Sequence, residues 1–126
     1  MNFKTILLIG IGGGIGSVAR FLCYRYIQSI HTTAFPWGTF LVNITGCLLI
    51  GVFYAVSERG NVLTPEWRLF LTTGFCGGFT TFSAFAYENI SLLKAGDFMH
   101  FSLYTVGSVV LGLAATYLGI AMVKLI

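Results

Sequence analysis

Four long apolar runs, separated by short polar connections, divide the chain. A hydrocarbon core roughly 30 Å thick takes ~20 helical residues per crossing. The runs at about residues 4–24, 37–56, 65–94 and 98–124 all reach that length. Their apolar positions are continuous rather than alternating, which predicts helices and not barrel strands. The connections carry start and stop signals. Pro36-Trp37 opens the second run with an interfacial aromatic, and Thr64, Pro65 and Glu66 read as N-cap, first helical position and first-turn acid of the third. The polar connection before it contains Gly60-Asn61, and Ala95-Gly96-Asp97 is a turn before the fourth run.

Polar and small residues interrupt the runs in a pattern. The first carries Gly10, Gly12, Gly13, Gly14 and Gly16, then Ser17, Ala19 and, near its far end, Arg20. Small residues on a membrane helix let another backbone come close. The second carries Thr39, Asn43 and Thr45, and the fourth a weakly polar stripe, Tyr104, Ser108, Gly112 and Thr116. The third contains G-F-C-G-G-F-T-T-F-S-A-F over residues 74–85. Gly77-Gly78 predicts a break near the membrane midplane, with Thr80, Thr81 and Ser83 bringing hydroxyls to that depth. Non-helical backbone survives in a bilayer only where protein buries it or where it lines a cavity. The stretch is therefore a tight packing point or part of a permeation path. Beyond it, Phe82, Phe85 and Glu88 share one helix face.

Composition narrows the class. Of 126 residues, 56% are hydrophobic and only 9% charged, which leaves no soluble domain. The class is a small all-α membrane protein in the lipid bilayer. The net charge of +3 comes without a basic cluster interleaved with aromatics, so nucleic acid is not an expected partner. Cys23, Cys47 and Cys76 lie in or at the ends of apolar runs without zinc-type spacing and read as packing residues. His31 and His100 read as interfacial. The first run is read as a retained span rather than a cleaved leader. There is no nucleophile–base pair and no ATP or redox motif, so an enzyme is not expected.

Charge and depth then suggest an assembly. Lys4, Arg59, Arg68 and Lys124 fall on the side of the N-terminus; Arg25 and Lys94 fall on the other, with Arg20 just inside the membrane there. So small a bias permits insertion in both orientations. Asn43, Phe82, Phe85, Glu88, Tyr104 and Ser108 all fall in one half of the membrane thickness. An antiparallel homodimer of dual topology would furnish the other half from a second copy.

Four stretches together resemble the Fluc family of fluoride channels. They are G-G-G-I-G-S-V-A-R (residues 12–20), W-G-T-F-L-V-N-I-T-G (37–46), the 74–85 motif, and the Tyr104/Ser108 stripe. The resemblance covers essentially the whole chain, with Gly112 lacking a hydroxyl expected in the stripe. It implies a dual-topology dimer with two pores that passively exports fluoride and confers fluoride resistance, in a bacterial inner (plasma) membrane. It implies pore roles for Asn43, Phe82 and Phe85, and a structural Na⁺ at the dimer centre on the backbone carbonyls of Gly77 and Thr80.

The residue chemistry suits such a role. A small, strongly hydrated anion needs donors where it loses water. The Asn43 amide and the Tyr104 and Ser108 hydroxyls are donors, and phenyl edges are weakly positive. Thr39 and Thr81 are supporting polar residues. Arg20 and Glu88, at similar depth, are expected to form a supporting ion pair or to line a vestibule. Two rival readings remain. A small multidrug-type proton-coupled transporter needs a membrane carboxylate in its first span, and here the one intramembrane acid is Glu88 in the third. A non-transporting structural protein would explain the glycines but not the aligned donors.

Overall fold

The computed structural model describes residues 2–60 and 62–126; Asn61, in the polar connection before the third span, lies outside them. All regular structure among these residues is helical. Four stretches are long and apolar enough to cross a membrane: Phe3–Ile30, Trp37–Ser57, Pro65–Lys94 and Phe98–Lys124. The third is divided into α3 (Pro65–Leu69), a π-helical turn (Phe70–Cys76), α4 (Gly77–Phe79) and α5 (Phe82–Lys94). The others are α1 (Phe3–Ile30), α2 (Trp37–Ser57) and α6 (Phe98–Lys124).

The helix starts follow the sequence signals. Thr64 Oγ1 accepts from the Trp67 N–H at 3.2 Å, with Pro65 next in line and Glu66 in the first turn. At the α5–α6 turn the Gly96 and Asp97 N–H groups close on the Leu93 and Leu92 carbonyls at 3.0 and 2.9 Å. This geometry needs the left-handed conformation that Gly96 adopts, φ +73°. Asp97 then caps α6. The His100 backbone N–H, and after it the His100 ring, hold the Asp97 carboxyl below its ordinary pKa.

Two of the expected boundaries move. α1 runs on to Ile30 instead of ending near residue 24, so Arg25, Tyr26 and Gln28 are helical. Its 28 residues extend about 42 Å at 1.5 Å each, longer than the hydrocarbon core. Gln28 Oε1 accepts the Gly38 N–H at 3.0 Å, an orphan donor at the start of α2. The break also shifts. Gly77 is helical, with φ −62° and ψ −37°, and the extended residues are Thr80 and Thr81.

The glycines supply close approach instead. A Cβ on Gly78 would run into the carbonyl of Gly13, and one on Gly16 into that of Phe75. Gly12 and Gly74 meet in the same seam, where a Cβ on Gly74 would stand 3.1 Å from the Gly12 Cα. α1 therefore packs backbone to backbone along the π-helical turn and α4. A second seam joins α2 to α6, where Gly51 faces the Thr116 carbonyl and Gly119 the Leu48 carbonyl. Lipid gives two helices no hydrophobic drive to associate, so such contacts carry the packing. Large apolar side chains point outward instead, Tyr117 and Leu113 among them.

Gly77 and Gly78 make the distinction testable. A Cβ on Gly77 meets nothing nearer than the Thr72 carbonyl at 4.0 Å. Gly77→Ala is expected to leave thermal stability in detergent nearly unchanged. Gly78→Ala, by forcing the α1 seam apart, is expected to cost about 1–3 kcal/mol and to lower the melting midpoint. Equal tolerance of the two substitutions would show that the seam is not tight.

Candidate functional site

The break in the third span is built by side chains from its neighbours. Asn43 on α2 meets the backbone of Thr81 at two points: its Nδ2 donates to the Thr81 carbonyl at 3.0 Å, and its Oδ1 accepts the Thr81 N–H at 2.8 Å. A continuous helix would send that N–H to the Gly77 carbonyl. The Ala84 N–H, which would reach the Thr80 carbonyl, goes to Thr81 Oγ1 at 3.1 Å, so Thr81 is the N-cap of α5. The Gly78 carbonyl accepts from Arg20 Nε at 3.1 Å. The carbonyls of Gly77 and Thr80 thus both lose their helical donors. Carbonyl oxygens left without such donors are ligands of the kind a hard cation such as the expected Na⁺ takes.

Around the break lies a cavity of about 460 Å³. Asn43 and Cys47 come to it from α2, Gly77 and Thr80 from the break, Phe82 and Phe85 from α5, and Ser108 from α6. No ionised side chain among the described residues lines it. The Phe82 and Phe85 rings lie 5.5 Å apart at 41°, and Phe82 is 78% exposed. The Ser108 hydroxyl is buried and has no hydrogen-bond partner among the described residues. A buried hydroxyl left so is costly. Asn43, which also lines the cavity, uses one of its two amide hydrogens on the Thr81 carbonyl.

Of the pore residues named from sequence, Asn43, Phe82, Phe85 and Ser108 are brought together, with Gly77, Thr80 and Thr81 beside them. Tyr104 is not. It is fully buried, its ring 4.9 Å from that of Phe85, and its hydroxyl donates to Glu88 Oε1 at 2.7 Å. Glu88 Oε2 accepts from Thr39 Oγ1 at 2.8 Å. Tyr104 therefore supports Glu88 and offers no free donor to the cavity. The expected Arg20–Glu88 ion pair is also absent among the described residues. Arg20 is directed to Gly78 and, at 3.3 Å, to Ser17 Oγ, while Glu88 is satisfied by two hydroxyls. Both residues do line a second cavity of about 230 Å³.

Cys47, Cys76 and Thr72 also line the large cavity, which sequence reasoning missed. Cys47 had a signal: it is four residues after Asn43, on the same face of α2. The buried Asn89, which accepts from Thr105 Oγ1 at 3.2 Å and ties α5 to α6, was also missed.

Fold and site together define a small four-span helical membrane protein with an uncharged, donor-bearing cavity beside a broken helix. A family model described as CrcB-like protein, Camphor Resistance (CrcB), matches residues 7–120, and the chain belongs to that family. It is 54% identical to a fluoride-specific ion channel FluC of Phocaeicola vulgatus over 119 residues, covering 94% of this chain and 98% of the relative. FluC of Flavobacterium psychrophilum is 49% identical over 121 residues (96% and 98%). FluC of Leptospira interrogans is 45% identical over 125 residues (98% of both).

Asn43→Ala would leave the Thr81 N–H and carbonyl without partners in an apolar setting. About 1–3 kcal/mol of stability per orphaned group is the expected loss. Asn43→Asp keeps the acceptor and is expected to retain more of the stability than Ala. Chemical denaturation in detergent ranks the three; an Ala variant as stable as the parent would refute the clasp.

Proposed function

We propose that this chain is a passive, fluoride-selective channel that exports the anion and confers fluoride resistance. The observation that carries the reading is the large cavity. It gathers the Asn43 amide, an unpartnered Ser108 hydroxyl and two phenyl rings, with no charged side chain among the described residues. That the relatives named above are fluoride-specific ion channels supports it. HF crosses membranes uncharged and dissociates inside, and a negative membrane potential drives the anion out through an open path. Neutral donors replace part of the ion's hydration without holding it, as conduction requires. Proton coupling finds no support: Glu88 lies off the large cavity and both its oxygens are engaged.

The assembly proposed with this function is an antiparallel, dual-topology homodimer with two pores, in a bacterial inner membrane. The structural Na⁺ proposed at its centre is held by the Gly77 and Thr80 carbonyls. Bound there, it would satisfy carbonyls that the break deprives of donors and tie the breaks of two copies together. The exposed Phe82 ring on the lining of the cavity supports a second copy in that position.

Liposomes holding the purified protein are expected to release fluoride rapidly and chloride slowly, with no dependence on an imposed proton gradient. Phe82→Ile or Ser108→Ala is expected to slow fluoride release at least several-fold. Fluoride movement only with a coupled proton would replace the channel with a transporter.

The dimer is tested separately. C-terminal tags in cells are expected on both sides of the membrane in similar amounts, and the purified dimer is expected to melt at lower temperature when N-methylglucamine replaces Na⁺. A single orientation, or melting that ignores Na⁺, would overturn the corresponding part.

A further inference from the structure

The α6 stripe changes character after Ser108. Gly112, one turn on, has no side chain. Thr116, one turn further, donates its hydroxyl to the Cys47 and Gly112 carbonyls, at 3.1 Å each, and offers no hydrogen to the cavity. The cavity's threonines are engaged as well. Thr72 donates to the Arg68 carbonyl at 2.7 Å and Thr80 to the Cys76 carbonyl at 3.0 Å. Thr81 caps α5 and shares a 3.3 Å bond with Ser83.

The space opened by Gly112 is taken by a side chain from the facing helix. A Cβ at position 112 would stand 3.4 Å from Cys47 Sγ. Cys47 lies one turn beyond Asn43, lines the same cavity as Ser108, and its thiol is half-buried and free. Cys76 also borders the cavity but is only 2% exposed. With Asn43 and the unpartnered Ser108 hydroxyl, the Cys47 S–H is thus a third polar group on the lining of the cavity.

We infer that Cys47 is a wall residue of the ion path, filling the step that Gly112 leaves empty, and that its thiol is a site where a small thiophilic cation stops ion flow. The inference rests on the channel reading. A soft d¹⁰ cation such as Ag⁺ binds thiolate sulfur far better than it binds oxygen donors. On binding, the S–H proton passes to water and an S–Ag bond forms, with no change of oxidation state. A bound cation would trap fluoride electrostatically and narrow the path. Cys23, the third cysteine, is exposed on α1 and does not line the cavity.

The test is fluoride efflux from liposomes in chloride-free nitrate buffer, with silver nitrate as the probe. Micromolar silver is expected to cut efflux by the parent chain to the background leak, and dithiothreitol to restore it. Cys76→Ser is expected to remain sensitive. Cys47→Ser and Cys47→Ala are expected to lose sensitivity to silver in whichever of them conducts. Mass spectrometry, on the parent chain, of the thiol that silver shields from maleimide is expected to identify Cys47, and it needs neither variant. Silver block that persists in a Cys47 variant, a parent chain indifferent to silver, or shielding confined to Cys23 or Cys76 would overturn the inference. Efflux without silver reports on the channel reading alone, so failure there is distinguishable, and the shielding map remains readable.

Discussion

The structure depends on one side-chain amide holding the backbone of one residue. Asn43 takes both the N–H and the carbonyl of Thr81, and the helical ladder of the third span ends there as a result. In lipid an unsatisfied backbone group costs several kcal/mol, so a break without replacement partners would not persist. The replacements are specific. Arg20 serves Gly78, Thr81 serves Ala84, and Asn43 serves Thr81. What is left over, the carbonyls of Gly77 and Thr80, is the chemistry that a hard cation would use. Fold and candidate site are therefore one network. Asn43 cannot be altered for its part in the cavity without disturbing the break.

Such a network works only if the backbones that carry it do not drift. That is the part played by the glycine seams. Gly12, Gly16, Gly74 and Gly78 bring α1 against the π-helical turn and α4 so closely that no Cβ fits at three of the four without displacing backbone. Arg20, one turn beyond Gly16, is thereby carried to the Gly78 carbonyl. Gly46 plays the same part on α2, where an added Cβ would run into the Thr80 methyl. These contacts fix the depth at which Asn43 meets Thr81. A π-helical turn lies one short helix before the break, and such turns are frequent at functional sites.

Much of this was legible in the chain. Continuous apolar runs gave four helices, and Thr64, Pro65 and Ala95-Gly96-Asp97 marked boundaries, because caps and turns are local chemistry. The glycine-rich third span and the Asn43, Phe82, Phe85 and Ser108 set pointed to the cavity. The break itself was placed three residues early. Gly77-Gly78 permits a break, but an intact helix also accepts glycine where close packing favours it. What interrupts the ladder is a partner on another helix, and no local pattern reveals it. The fates of Tyr104 and Arg20 were hidden for the same reason. A hydroxyl or a guanidinium at a given depth can serve an ion or another protein group. Only the neighbours decide, and here they are Glu88 for Tyr104 and Gly78 for Arg20.

The distribution of charge carries the last step. A full positive charge about 4 Å from a bound anion is worth roughly 4 kcal/mol at an effective dielectric near 20. Each 1.36 kcal/mol is tenfold in a rate, so a fixed cation on the large cavity would slow an anion's departure about a thousandfold. A neutral hydrogen bond contributes only about 0.5–1.5 kcal/mol net, enough to offset part of the lost hydration and too little to trap. The chain does possess an intramembrane cation, Arg20, but its guanidinium is held by Gly78 and Ser17 and lines the smaller cavity with Glu88. Attraction is thereby kept to the flank, and the large cavity is left with weak donors. That separation favours throughput over binding, the trade a passive channel for a strongly hydrated anion has to make.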